Sequence, residues 1–173
     1  MKNLKLILII AVTTFISHTA IAQIQPVNTD GIAIGGYDVV SYFDGGLVMK
    51  GKSSFACVWS NVLWLFSSED HLEKFSNQPE RYAPQFGGFC AFGAANGYKA
   101  STKPEAFSII DGKLYLNFAK YVRRRWQEKQ TTHIQAANDS WEKTKHLKPI
   151  KAHPIPIWWK YQILKLTGKD IFD

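Results

Sequence analysis

Residues 107–116 read FSIIDGKLYL, and this stretch is the strongest β-hairpin signal in the chain. Two runs rich in apolar and aromatic residues flank an Asp-Gly pair at 111–112, which fits a type I′ turn because both central residues of that turn need positive φ. A second hairpin is predicted upstream, where residues 55–59 and 62–66 are rich in β-branched and aromatic residues and a Ser-Asn pair lies between them. Because its residues are apolar on both faces, we expect this hairpin to be covered on each side.

Two short helices are predicted after the upstream hairpin. A capping box at residues 67–70, with Ser67 as the N-cap, opens a helix that ends near Asn77. Pro79 suits the first turn of a second short helix, because an N–H at that position would have no partner inside the helix.

A long amphipathic helix is predicted after the second hairpin. Its apolar residues recur at helical spacing and form one face: Phe118, Val122, Trp126, Ile134, Ala137 and Trp141. Residues 123–125 are three arginines, which we interpret as part of its solvated face. No internal repeat is expected in the chain.

The first 22 residues are typical of an export signal. Two lysines give the positive region, residues 6–16 the apolar region, and residues 20–22 a small-x-small cleavage site. The apolar run is too short to span a bilayer as a stable helix. We therefore expect a periplasmic or secreted protein, with residues 23–34 as a leader to the domain.

The positive charge of the chain is concentrated near its end. The 173 residues carry 21 Lys and Arg against 14 Asp and Glu, and most of the excess lies in a basic, Pro- and Trp-rich extension at 143–173. The main body is close to neutral, so no nucleic-acid partner is expected. Residues 143–156 are typical of an extended linker. For residues 157–167, a last apolar helix, two hypotheses stay open: docking on its own domain, or peripheral contact with an anionic membrane surface.

Residues 82–92 read YAPQFGGFCAF and hold the main candidate functional residues. Gly87 and Gly88 allow a tight turn or a close backbone approach, since neither has a Cβ. Cys90 follows the pair and begins a predicted short helix over residues 90–95, which an Asn-Gly pair ends. A thiol beside such a turn, among aromatic rings, can serve as a ligand, as a nucleophile or as packing.

Several motifs, in the right order, resemble the YHS family, which is related to TRASH-type metal-binding domains. Residues 64–75 (WLFSSEDHLEKF) and 77–82 (NQPERY) resemble its strand end, short helix and Asn-Pro-Glu-x-Tyr ending, with one residue inserted before the proline. The chain is more closely similar to exported bacterial YHS-domain proteins, through residues 36–38 (GYD), 87–92 (GGFCAF) and 111–117 (DGKLYLN). The resemblance covers residues 35–142 and implies an α+β fold with a small β-hairpin and helix core.

The chain also departs from the family pattern. In the metal-binding relatives, cysteines stand at positions that here resemble Ser41, Ser67 and His71, so most of their thiolate cluster is missing. Val39 stands where the exported branch usually has proline, and Cys57 where it usually has no thiol. The resemblance implies no established activity.

Three chemical hypotheses depend on Cys90. A disulfide with Cys57 suits an oxidising compartment. A copper or zinc site would use Cys90, His71 and Cys57, whose donor atoms suit those metals. A thiol-dependent enzyme or redox protein would use Cys90 as nucleophile and His71 as base.

The fourth hypothesis is a binding module without catalysis. Its candidate ligand-binding residues are an unusual mixture for a pure core: Tyr37, Asp38, Phe86, Gly87, Gly88, Phe89, Cys90 and Asn117. The alternative for each is structural, since Asp38 can cap a turn, the rings can fill the core and the glycines can make a corner. We favour an exported YHS-type module that binds a small ligand or a metal ion, with Cys90 as the first candidate residue, His71 second and Asp38 third. The alternatives are the thiol-dependent protein and a structural accessory protein tethered by its tail.

Overall fold

Two antiparallel β-hairpins, each preceded by a glycine-rich bend and followed by helices, form an α+β fold. The computed structural model describes residues 31–150. The strands are β1 (Lys52–Trp59), β2 (Val62–Phe66), β3 (Lys103–Ile110) and β4 (Lys113–Asn117). The helices are α1 (Glu69–Asn77), α2 (Pro79–Tyr82), α3 (Ala91–Ala95), α4 (Lys120–Glu128) and α5 (Gln130–Thr144).

Both predicted hairpins are confirmed. Asp111 and Gly112 have φ values of 49° and 69°, as the predicted type I′ turn requires. Coverage of the first hairpin is less complete than expected. The β2 side chains of Val62, Trp64 and Phe66 are buried on one face, whereas Val58 on β1 is 71% exposed.

The two hairpins belong to two successive copies of one structural unit, which the sequence did not lead us to expect. β1–β2 and β3–β4 pair in the same register, Lys52 with Phe66 and Lys103 with Asn117, and each hairpin has its irregularity at the same place. Helices α1 and α4, which follow the hairpins, are both nine residues long. We call residues 33–82 the first copy and residues 85–144 the second copy.

The bends that open the two copies have the same backbone conformation. Three consecutive residues have positive φ in each: Ile34, Gly35 and Gly36 in the first bend, and Phe86, Gly87 and Gly88 in the second. Each bend is closed by the same hydrogen bond, from Tyr37 N to Ile34 O (3.2 Å) and from Phe89 N to Phe86 O (3.0 Å). The next residue is also held alike, because Asp38 N donates to Met49 O (2.9 Å) and Cys90 N to Ala100 O (3.1 Å).

The predicted long helix is instead two helices, α4 and α5, which meet at Lys129. Lys129 has φ −134° and ψ 49°, and Gln78, which separates α1 from α2, has φ −144° and ψ 61°. The break is therefore a feature of the unit that both copies share. The carbonyl of Trp126, close to the break, accepts a hydrogen bond from His133 Nδ1 at 2.7 Å.

The core of the first copy is completed by the second copy. Its buried residues include Trp64, Phe66 and Phe75, and Leu114 and Leu116 of β4 pack in the same cluster. A second cluster lies between α3, α4 and α5 and contains Ala91, Ala94, Phe86, Tyr115, Trp126 and Ala137.

Several predicted segments lie outside the described residues. These are the export signal, most of the leader and the proposed membrane-contact helix at 157–167. Residues 143 and 144, predicted as linker, belong to α5. Within residues 31–150, no helix combines the length and the apolar character that crossing a bilayer requires.

Candidate functional site

Asp38 is the centre of a buried hydrogen-bond network in the first copy. Its side chain is fully buried, and its carboxylate accepts five hydrogen bonds. Oδ1 accepts from the backbone N–H groups of Val40 (2.9 Å) and Ser41 (3.4 Å). Oδ2 accepts from Ser67 N (2.8 Å), Ser67 Oγ (2.6 Å) and His71 Nδ1 (2.6 Å). The carboxylate therefore joins the residues after the first bend to the start of α1.

His71 is held between two carboxylates. His71 Nδ1 lies 2.6 Å from Asp38 Oδ2 and 3.3 Å from Ser67 Oγ. His71 Nε2 lies 3.4 Å from Asp44 Oδ2, and Lys74 Nζ lies 3.8 Å from the same oxygen. His71 is 8% exposed, so its ring is a fixed part of the network.

Ser68, and not Ser67, is the N-cap of α1. The Ser68 side chain accepts from His71 N at 3.2 Å. The predicted capping box was therefore shifted by one residue, because the Ser67 hydroxyl is bound to the Asp38 carboxylate.

Cys90 is the corresponding residue of the second copy. It is 2% exposed and is the N-cap of α3, where its Sγ accepts from Gly93 N at 3.4 Å. Sγ also lies 3.6 Å from Asn117 Oδ1, which accepts from Phe92 N at 3.3 Å. Asn117 Nδ2 is buried and has no partner within the described residues.

The Asp38 carboxylate and the Cys90 thiol are bound by equivalent backbone groups. Asp38 accepts from the second and third residues after it and from Ser67 N. The Cys90 thiol interacts with the second and third residues after it, and with the backbone of Phe118. Phe118 occupies the place of Ser67, one residue after the second hairpin. The thiol is therefore a structural counterpart of the carboxylate.

Burial controls the acidity of Cys90. Desolvation raises the pKa of its thiol, although the hydrogen bonds from Gly93, Phe118 and Phe92 act in the opposite direction. The group is therefore a neutral thiol at neutral pH, whereas nucleophilic catalysis and metal binding need the thiolate.

The predicted metal ligands do not form a cluster. Across the described range 31–150, no three His, Cys, Asp or Glu side chains are grouped so as to hold a metal ion. Cys90 contacts Asn117, and His71 contacts Asp38 and Asp44. Cys57 interacts with Ser76, and burial raises the pKa of its thiol. Both cysteines are free, so the disulfide hypothesis is not realised in this structure.

The aromatic candidates of the second bend pack in the core. Phe86 contacts the rings of Tyr115 (6.0 Å between centroids) and Trp141 (5.7 Å). Phe89 lies 6.4 Å from Trp141, and Lys99 Nζ is 4.3 Å from the Phe89 ring centroid. The carbonyl of Gly88 accepts from Thr102 Oγ1 at 3.1 Å. Core packing and the bend conformation therefore explain these residue types without a bound ligand.

A cleft lies where the first bend meets the segment that leads into β3. Its volume is about 350 Å³, close to the lower end of the roughly 300–1,000 Å³ typical of ligand pockets. Of the predicted site residues, Tyr37 lines this cleft. The other lining residues are Ile34, Gly35, Ser101, Thr102, Lys103, Pro104 and Glu105.

Sequence reasoning missed the 101–105 side of the cleft. Its residues form no motif, and only the path of the chain brings them next to Tyr37. The internal duplication is the one sequence feature that bears on the cleft, because the Gly-Gly pairs of the two bends mark Ile34 and Tyr37 as counterparts of Phe86 and Phe89.

The comparisons with known proteins give no further assignment. No family model, curated protein or solved structure matches the chain. Membership of the YHS family stays a prediction from the motifs.

Proposed function

We propose that this chain is an exported YHS-type binding module that takes up a small molecule in the cleft beside Tyr37 and does not transform it. The observation that carries the proposal is the cleft itself. It combines an aromatic ring, aliphatic carbon from Ile34 and Pro104, two hydroxyl groups and two opposite charges. Such a mixture of apolar walls and a few polar groups is typical of small-molecule sites.

The two charged side chains of the cleft are available to a ligand. Lys103 and Glu105 are exposed, and neither takes part in an ion pair within residues 31–150. Thr102 is fixed by its hydrogen bond to Gly88, so the wall formed by residues 101–105 is tied to the second bend. The ligand would therefore lie close to the Gly88–Cys90 turn without contacting the thiol.

The surroundings of Cys90 support a binding module over a thiol-dependent enzyme. Burial raises the pKa of the thiol, and the His71 ring contacts Asp38, Ser67 and Asp44. The imidazole that would serve as base is thus already bound elsewhere. A copper or zinc site formed by Cys90, His71 and Cys57 is not supported, because these side chains are not grouped within residues 31–150.

The proposal is tested by filling the cleft. Residues 23–173, with uniform ¹⁵N labelling, are titrated with small aliphatic acids, sugars and aromatic compounds, and backbone amide shifts are followed. We expect at least one class to bind saturably, with the largest shifts at residues 34–37 and 101–105. The variant Ser101→Trp fills the cleft and should abolish those shifts. The matched control Ser54→Trp, at an exposed position of β1, should retain them.

Saturable binding that Ser101→Trp leaves unchanged would contradict the proposal. Absence of saturable binding for all three classes would contradict it as well.

A further inference from the structure

The internal duplication allows the occupant of the cleft to be inferred. We propose that the cleft binds a flat aromatic molecule with a polar substituent, at the place that corresponds to the indole of Trp141 in the second copy. This inference rests on the proposed function and adds the chemical class of the ligand.

The argument starts from the two bends. Residues 34–36 and 86–88 have matching positive φ values and are closed by the same hydrogen bond. Side chains at equivalent positions therefore leave the backbone in equivalent directions. Ile34 corresponds to Phe86, and Tyr37 corresponds to Phe89.

In the second copy, an indole covers these positions. Trp141 of α5 packs against Phe86 with an interplanar angle of 64° and against Phe89 with one of 42°. A lysine ammonium completes the arrangement, since Lys99 Nζ lies 4.3 Å from the centroid of Phe89. The place is thus suited to an aromatic ring beside a second ring that carries a cation.

In the first copy, the same positions border the cleft. Ile34 and Tyr37 line it, and Lys50 Nζ lies 4.0 Å from the centroid of Tyr37 while it donates to Gly35 O at 2.9 Å. An aromatic ring with a lysine ammonium against it is present in both copies, although the two lysines come from different positions of the unit, since Met49 corresponds to Ala100. Among the described residues, the covering indole is present only in the second copy.

Helix length explains the difference between the copies. After the shared break, the first copy has only α2, a single turn of four residues. In the second copy α5 continues for 15 residues and brings Trp141 to the bend. Within the described residues, the first copy has no helix in the place of α5, and the cleft borders the bend positions whose counterparts Trp141 covers in the second copy.

The opposite wall of the cleft indicates a polar substituent. Ser101 and Thr102 provide hydroxyl groups, and Lys103 and Glu105 provide charges. A ring with a hydroxyl group or a ring N–H would have hydrogen-bond partners on that wall while its π face contacts Tyr37.

The test compares phenol with cyclohexanol, which has the same ring size and hydroxyl group but no π system. Both are titrated into ¹⁵N-labelled residues 23–173. We expect phenol to bind at least threefold more tightly, with shifts centred on residues 34–37 and 101–105, and Ser101→Trp to abolish that binding. Equal affinities, or shifts from phenol elsewhere on the protein only, would overturn the inference.

The two proposals fail in distinguishable ways. If cyclohexanol or another non-aromatic probe binds in the cleft as tightly as phenol, the aromatic specificity is wrong and the binding module stands. If no probe binds there, both are wrong.

A second variant tests the equivalence of the copies. Trp141→Ala should open the corresponding place in the second copy, so that indole gives additional saturable shifts at Phe86 and Phe89 and restores part of the lost thermal stability. A folded Trp141→Ala protein that shows no such shifts would contradict the equivalence. If this variant does not fold, the phenol and cyclohexanol comparison decides alone.

Discussion

Asp38 links the first bend to the start of α1 through its buried carboxylate. Its carboxylate is fully buried and accepts hydrogen bonds from Ser67, His71 and two backbone groups. Removing one partner of a buried charged network leaves the others unsatisfied, at a cost of about 3–5 kcal/mol. We expect Asp38→Ala to lower the free energy of unfolding by about that amount, measured by urea denaturation.

The control for this prediction is Asp70→Ala. Asp70 is exposed and pairs with Lys74 one turn further along α1, at 2.7 Å. A surface pair of this kind contributes less than about 1 kcal/mol. Similar losses in the two variants would show that the Asp38 network is not structural.

Cys90 predicts a dependence of stability on alkaline pH. Burial raises the pKa of its thiol in the folded state, whereas an unfolded thiol titrates near pH ~8.5. Below that pH both states hold the proton and the stabilisation is complete; above it the unfolded chain loses its proton first, so stability falls. We expect a slope of up to about 1.4 kcal/mol per pH unit between roughly pH 8.5 and 9.5.

Urea denaturation of Cys90→Ala over the same pH range checks this prediction. The variant should be less stable throughout but should show a flatter dependence on pH, while Cys57→Ala should keep most of the slope. An unchanged slope in Cys90→Ala would assign the effect to other groups.

At the scale of the elements, the start of α1 depends on two neighbouring serines with different roles. Ser68 caps the helix, and Ser67 binds Asp38. The two roles can be separated by a double-mutant cycle.

Ser67→Ala combined with Asp38→Asn should show a coupling energy of at least about 0.5 kcal/mol in the free energy of unfolding. Ser68→Ala should cost about 1 kcal/mol alone and add independently to Asp38→Asn. Coupling of Asp38 to Ser68 instead of Ser67 would restore the capping box expected from the sequence.

The elements that could be predicted from the sequence are those whose turn or cap residues lie next to each other in the chain. The Asp-Gly turn, Pro79 at a helix start and Cys90 at the start of α3 are signals within a few residues, and the structure confirms them. The cap at Ser68 was misplaced because Asp38, distant in sequence, binds the other serine. The break at Lys129 was missed because the apolar spacing continues across it, and only the equivalent break at Gln78 explains it.

At the scale of the whole molecule, the duplication was hidden because the two copies conserve backbone geometry more than residue types. The bends share the Gly-Gly pair, but Asp38 and Cys90 occupy equivalent places with different side chains, as do Trp64 and Tyr115. The candidate site was predictable only in part for the same reason. Tyr37 was identified from a motif, whereas residues 101–105 reach the cleft through the fold alone.

The shared core predicts that the two copies unfold together. Leu116 belongs to β4 of the second copy, yet it is fully buried within the hydrophobic cluster of the first copy. Replacing a buried leucine by alanine costs about 2–5 kcal/mol, and here the loss falls on both copies at once. We expect Leu116→Ala to shift a single urea transition to a lower midpoint. The side-chain indole NMR signals of Trp64 in the first copy and Trp126 in the second, followed in the same protein, should share that midpoint. Val58→Ala, at a position that is 71% exposed, should change the free energy of unfolding by less than about 0.5 kcal/mol. Two separate transitions, of which Leu116→Ala moves only one, would mean that the copies fold as independent units and that the cleft between the first bend and residues 101–105 is not held by a common core.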